Sequence, residues 1–186
     1  MSVRRLVAAL LALTVTSGLA ACGEEKAAPL PRTTALNGTV FNSADARFAR
    51  DLLVQRSREF ALIDVTVGRP LGDDLAAFLD GARTVRAAEI DQVTTWITDW
   101  GREVPATIRD HASEDAGAHA FADLEKASDA GFARAWVAAY RKELEASDDV
   151  AATEQTAGLY RDARALAASV AKANSREADE LTDNAD

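Results

Sequence analysis

Methionine occurs once in the 186 residues, at position 1, and cysteine once, at Cys22. Histidine occurs twice, as His111 and His119. No Cys-x-x-Cys pair can exist, and a lone cysteine cannot close an intramolecular disulfide. Basic residues are outnumbered, 21 Lys and Arg against 30 Asp and Glu, for a net charge of −9. They form no basic patch, so no nucleic-acid partner is expected, because phosphate contacts need clustered Lys and Arg. The same balance disfavours adhesion of the domain itself to anionic lipid. Gly-rich phosphate loops and the G-x-S-x-G elbow are absent, and no Ser or Cys is paired with a His and an acid. The chain is therefore not expected to be an enzyme or to carry a cofactor. No hairpin dipeptide lies between alternating apolar runs, so no β-structure is expected.

What is present begins with a leader. Residues 2–5, Ser-Val-Arg-Arg, form a basic segment, and 6–19 an apolar run too short for a comfortable membrane span. Leu19-Ala20-Ala21-Cys22 follows and resembles the bacterial lipobox, in which cleavage leaves the cysteine as a lipidated N-terminus. Residues 1–21 are thus expected to be a lipoprotein signal peptide, with Cys22 the lipid attachment site. The expected location is the extracytoplasmic face of the cell membrane. Each buried acyl methylene contributes about 0.8 kcal/mol to such an anchor. Residues 22–40 read as a flexible linker with Asn37-Gly38-Thr39 as a turn, 41–182 as the folded domain, and 183–186 as an acidic tail.

The domain reads as helices. Residues 41–67 carry two adjacent apolar stripes, with Asn42 or Ser43 as cap, Asp45 in the first turn, and Gly68 and Pro70 as stops. Gln55, Arg56 and Glu59 interrupt that face. A second helix, 73–100, ended by Gly101, turns Leu75, Leu79, Ala82, Arg86, Glu89, Val93, Trp96 and Trp100 to one side. After a long connection, a short helix over 118–127 points Phe121 and Leu124 inward. A third long helix runs over 129–156 to a turn at Gly158, and a fourth continues to about 181, with Leu159, Leu166, Val170, Ala173, Glu177 and Leu181 inward. Phe48-Ala49-Arg50 is echoed by Phe132-Ala133-Arg134, and Arg86-Ala87-Ala88-Glu89 by Asn174-Ser175-Arg176-Glu177. The expected fold is all-α, an antiparallel four-helix bundle of two duplicated helical hairpins.

The segments FNSADARFARDLL and RAAEIDQVTTWITDW resemble the bacterial family called domain of unknown function 305. The resemblance extends from residue 41 to about 181. It implies a ferritin-like bundle in which His-His pairs and methionines point inward, and some members bind copper. Carried over residue by residue, the histidine pairs fall on Gln55 and Arg56 and on Glu143 and Leu144. The methionine positions fall on Leu62, Val93, Val150 and Leu181. None is a histidine or methionine, so a Cu(I) site of that kind cannot form.

In its place the residues suggest a polar core cluster of Gln55, Arg56, Glu59, Arg86, Glu89, Glu143, Asn174 and Glu177, in which Arg56 and Arg86 bridge the acids. The expected function is a non-catalytic envelope lipoprotein, a binding or interaction module. Its partners would be the membrane through the lipid anchor and an envelope protein or small ligand. The alternative is an envelope metal-handling protein using carboxylates and the loop residues His111, His119, Glu114 and Asp115.

Overall fold

A computed structural model describes residues 29–105 and 116–183. Cys22 and the leader lie outside the described residues. Among the described residues the chain is all-α apart from one short hairpin, β1 (Thr33–Thr34) with β2 (Val40–Phe41). The helices are α1 (Ser43–Asp64), α2 (Asp73–Asp99), α3 (Ala116–Lys126), α4 (Asp129–Ala157) and α5 (Arg161–Asp183).

The hairpin corrects two expectations, that no β-structure would form and that the linker would run unstructured to residue 40. Gly38 takes φ +84° in the left-handed region, and the Thr39 N–H donates to Asn37 Oδ1. The turn so closed pairs Thr33 with Phe41 and Thr34 with Val40, antiparallel. Two-residue strands are too short to carry a period. Their support is tertiary: Phe41 is buried and stacks on Trp100, ring centroids 4.6 Å apart.

Contacts between helices run in opposite numerical order, so neighbours are antiparallel. Along α1 and α2, Arg56 meets Glu89, Glu59 meets Arg86, and Asp64 meets Arg83. Along α1 and α4, Asn42 meets Ala157 and Leu62 meets Trp136. Along α4 and α5, Leu144 meets Asn174 and Arg141 meets Thr182. One end of the helical body, here the proximal end, therefore carries the hairpin, the start of α1, the end of α2 and the α4–α5 turn.

All eight residues expected on the inward stripe of α2 are buried. The phase of α5 is a correction: Ala163, Ala167, Val170, Asn174 and Leu181 are buried, while Leu159, Leu166 and Ala173 are half-buried. Ala163 and Ala167 face inward because Trp96 and Trp100 already fill that volume. α1 stops at Asp64, sooner than expected, and leaves Val67 exposed in the turn that reaches Gly68.

The α1 cap also fastens the proximal end. Asn42 Oδ1 accepts from the N–H groups of Ala44 and Asp45, and Asp45 Oδ2 accepts from Asn42 N–H at 2.6 Å. This reciprocal arrangement is a capping box. The other oxygen, Asp45 Oδ1, accepts from the N–H groups of Leu159 and Tyr160, each at 2.8 Å. One buried carboxylate thus satisfies orphan donors at the starts of two helices.

Glu154 lies beside it, wholly buried, with neither carboxyl oxygen hydrogen-bonded among the described residues. A Cβ at position 158 would collide with this carboxyl, which is why glycine stands there. Burial, together with the neighbouring Asp45 carboxyl, pushes Glu154 up to about 9, with Arg164 opposing. The native state therefore keeps a proton that the unfolded chain releases near 4.5. Stability from this group is fully present below that lower value and is lost as pH rises through about 9. The urea midpoint of the full chain should fall between pH 5 and pH 9. Glu154→Gln should flatten the larger part of that slope and raise the midpoint at pH 8; an unchanged slope would refute the assignment.

Candidate functional site

Three helices each offer two polar groups spaced by three residues, a spacing that puts both on one face. They are Arg56 and Glu59 on α1, Arg86 and Glu89 on α2, and Asn174 and Glu177 on α5. α4 adds Tyr140 and Ser147. Arg56, Glu59 and Arg86 have no exposed surface.

Glu59 is the centre. Its oxygens accept from Arg56 Nη1 at 2.6 and 2.7 Å, and Oε2 also accepts from Arg86 Nε. Arg56 Nε lies 2.6 Å from Glu89 Oε2, a close ion pair whose angle is outside that of a hydrogen bond. Arg86 Nη2 donates to Glu177 Oε2 at 2.5 Å and to Tyr140 Oη at 3.2 Å. Arg56 reaches Ser147 Oγ and Asn174 Oδ1, both at 3.4 Å. Asn174 Nδ2 donates to Ser147 Oγ, Asp148 Oδ1 and the Leu144 carbonyl.

This layer divides the core in two. On the proximal side lie Phe48, Leu52, Trp96, Trp100 and Val170 with their neighbours. On the distal side lie Leu62, Phe78, Trp136, Tyr140 and Leu181 with theirs.

Three carboxylates face two guanidiniums, so the layer carries one negative charge if every group is ionised (two minus three). Burial pushes the Glu177 carboxyl up, with Arg86 the main opposing charge, so Glu177 takes a proton more readily than an ordinary glutamate. Burial works against the Arg86 charge, but Glu59, Tyr140, Glu177 and Glu89 outweigh it and hold the guanidinium above its ordinary value. Burial likewise raises Tyr140, which stays a neutral phenol.

Six of the eight residues anticipated for the cluster meet: Arg56, Glu59, Arg86, Glu89, Asn174 and Glu177. Glu143 is a correction. It is half-buried and sits outside the layer, because α4 is rotated by one residue and buries Leu144, Ser147 and Ala151 instead. Burial raises the Glu143 carboxyl, opposed first by Arg58. Gln55 is a second correction: it too is half-buried, and its Oε1 is shut from solvent without a partner among the described residues. Tyr140 and Ser147 were missed as polar members. Ser147 could have been found at three residues past Leu144 on the same stripe. His111, Glu114, Asp115 and the side chain of His119 lie outside the described residues.

Among the described residues no three His, Cys, Asp or Glu stand close enough together to hold a metal ion. The chemistry of the layer itself is unsuited to one. A guanidinium donates and cannot ligate, and both oxygens of Glu59 are already engaged. The arrangement is a closed ion-pair network, with no nucleophile held by a base. No family model matches the chain, and neither a curated protein nor a solved structure matches it.

Removing one member of such a network strands the others without water. Arg56→Ala, which leaves Glu59 and Glu89 short of a partner, should cost about 3–5 kcal/mol in chemical denaturation. Arg56→Met with Glu89→Leu should cost much less, and Glu143→Leu less than about 1 kcal/mol. A loss for Arg56→Ala no larger than that for Glu143→Leu would show that the layer is not a coupled network.

Proposed function

We propose that the protein is a non-catalytic lipoprotein of the cell envelope. A ferritin-like four-helix bundle of two related hairpins would be presented on a linker from lipidated Cys22. In this reading the chain is a divergent relative of the domain of unknown function 305 proteins. An ion-pair layer stands at the level where they hold inward histidines and methionines. The observation that carries the reading is Arg56, wholly buried and bound to Glu59 at 2.6 Å, at one of the positions where the resemblance places a histidine. A guanidinium there repels a cation and occupies the carboxylate that would otherwise be free to bind one.

The interior is then structural, and recognition of an envelope protein or small ligand falls to the surface. Among the described residues no helix is long and apolar enough to cross a membrane. Attachment in this proposal rests on the acyl chains at Cys22, with residues 23–28 and the hairpin between anchor and domain.

Two outcomes test this. Cells fed labelled palmitate should yield labelled wild-type protein and unlabelled Cys22→Ala; label retained by the variant would overturn the lipid site. In competition with a Cu(I) chelator the purified chain should take up no copper, because thioether and imidazole donors are missing from the interior among the described residues. Stoichiometric copper, zinc or iron in the purified protein would instead favour metal handling.

A further inference from the structure

The proximal end holds a feature that the composition argues against. A cleft of about 640 Å³ opens there between the first turns of α1 and the segment that follows α2. Arg47 and Arg50 of α1 and Arg102 beyond α2 line it, with Ser43, Ile97 and one acid, Glu103. Three guanidiniums against one carboxylate make the cleft positive by two, on a chain whose net charge is −9.

These arginines are free to bind. Several other guanidiniums are committed: Arg56 and Arg86 to the buried layer, Arg83 to Asp64, and Arg69 to the last carbonyls of α3. Among the described residues none of Arg47, Arg50 and Arg102 has a carboxylate within 4.0 Å or a side-chain hydrogen bond. Asp51 feels Arg50 and Arg47 electrostatically, yet burial outweighs them and raises its carboxyl.

The cleft is also built rather than incidental. Gly101 ends α2 at φ +64°, so that its N–H donates to Thr98 O and the Arg102 N–H to Ile97 O, both at 2.9 Å. This left-handed cap fixes where Arg102 leaves the helix. The Arg102 guanidinium then lies over the Phe41 ring, 5.7 Å from its centroid, and Phe41 is itself stacked on Trp100. Arg47 and Arg50 are three residues apart on α1 and share a face. The start of α1 adds the positive end of its dipole.

Planar guanidinium forks match phosphate oxygens, and apolar lining from Ala46, Ile97 and Pro105 suits an amphiphile better than a free ion. Thr33 is only eleven positions beyond Cys22 (33 minus 22), a span of at most about 40 Å when fully extended. The hairpin delivers the chain to this same end. If Cys22 is anchored, the cleft is the part of the domain held near the bilayer. We propose that the cleft binds the phosphodiester of an anionic phospholipid headgroup, with Arg47, Arg50 and Arg102 closing on its oxygens and Ser43 donating to it. Its placement at the membrane rests on the lipoprotein reading; its anion chemistry does not. The domain would thereby take one orientation, proximal end toward the bilayer and distal end outward, although its overall charge repels that surface.

The test uses the full chain reconstituted into vesicles of phosphatidylcholine, with or without phosphatidylglycerol, and labelled with the arginine reagent phenylglyoxal. Peptide mass spectrometry reads each site, and Arg134, exposed near the start of α4, is the internal control. Arg47, Arg50 and Arg102 should be protected about fivefold or more in phosphatidylglycerol vesicles, with Arg134 unchanged, and protection should fade with salt. Arg50→Gln should reduce the protection of Arg47 and Arg102. Equal labelling in the two vesicle types would overturn the proposal. Protection by soluble glycerol phosphate in phosphatidylcholine vesicles, with none from phosphatidylglycerol, would overturn the lipid source. The chain is held in both vesicle types by acyl groups or by an uncleaved leader alike. Loss of the lipid at Cys22, read from the mass of the N-terminal peptide, is therefore a separate result.

Discussion

Glu59, enclosed by Arg56 and Arg86, is the constraint on which the rest of the helix packing depends. A buried ion pair contributes uncertainly to net stability, because desolvation offsets attraction. A buried charge without a partner, by contrast, is heavily penalised. Each helix must therefore be rotated and slid until its groups meet. α1 and α2 satisfy this only where residues 56 and 59 face 89 and 86. A slip of one turn would still bury apolar side chains against one another, but would set Arg56 against Arg86 in one direction and against Val93 in the other. The layer thus selects one register from several that hydrophobic contact alone would accept.

The two apolar cores on either side have different makeup. The proximal one combines large aromatic residues of α2 with alanines of α5, and its Trp96–Trp100–Tyr160 contacts hold the start of α5. The distal one stacks Trp136 on Tyr140 and seats Trp136 by a hydrogen bond from Nε1 to the Leu62 carbonyl, 2.7 Å. Tyr140 joins core and layer: its ring packs on Phe78, while its hydroxyl receives Arg86. Asp45 performs a similar joining at the proximal end, linking the first helix start to the last.

Interior and surface divide the electrostatic work. Within, acids and arginines neutralise one another so closely that little chemistry is left to them. Outside, the chain is acidic, and its basic residues gain meaning from where they gather. A composition that predicts repulsion from anionic surfaces is compatible with a local exception at one end. Repulsion averages over the molecule, whereas a contact is made by the few groups within a Debye length of the surface.

Much of this was legible before any coordinates. The long helices, the α2 stripe, the Asn42 cap, the turns at Gly68, Gly101 and Gly158, and most members of the polar layer follow from spacing and local chemistry. Local periodicity determines which side of a helix is apolar, and the capping residues determine where it starts and stops. Only the tertiary structure decided the rest. It rotated α4 so that Leu144 rather than Glu143 faces inward. It set alanines instead of leucines against the tryptophans, paired two-residue strands through a stack on Trp100, and chose Glu59 as the shared acid. The reason is physical: a stripe three or four residues wide tolerates a rotation of tens of degrees at little hydrophobic cost. The choice within that range falls to contacts between groups more than a hundred residues apart, as between Asp45 and Leu159 or Arg56 and Asn174.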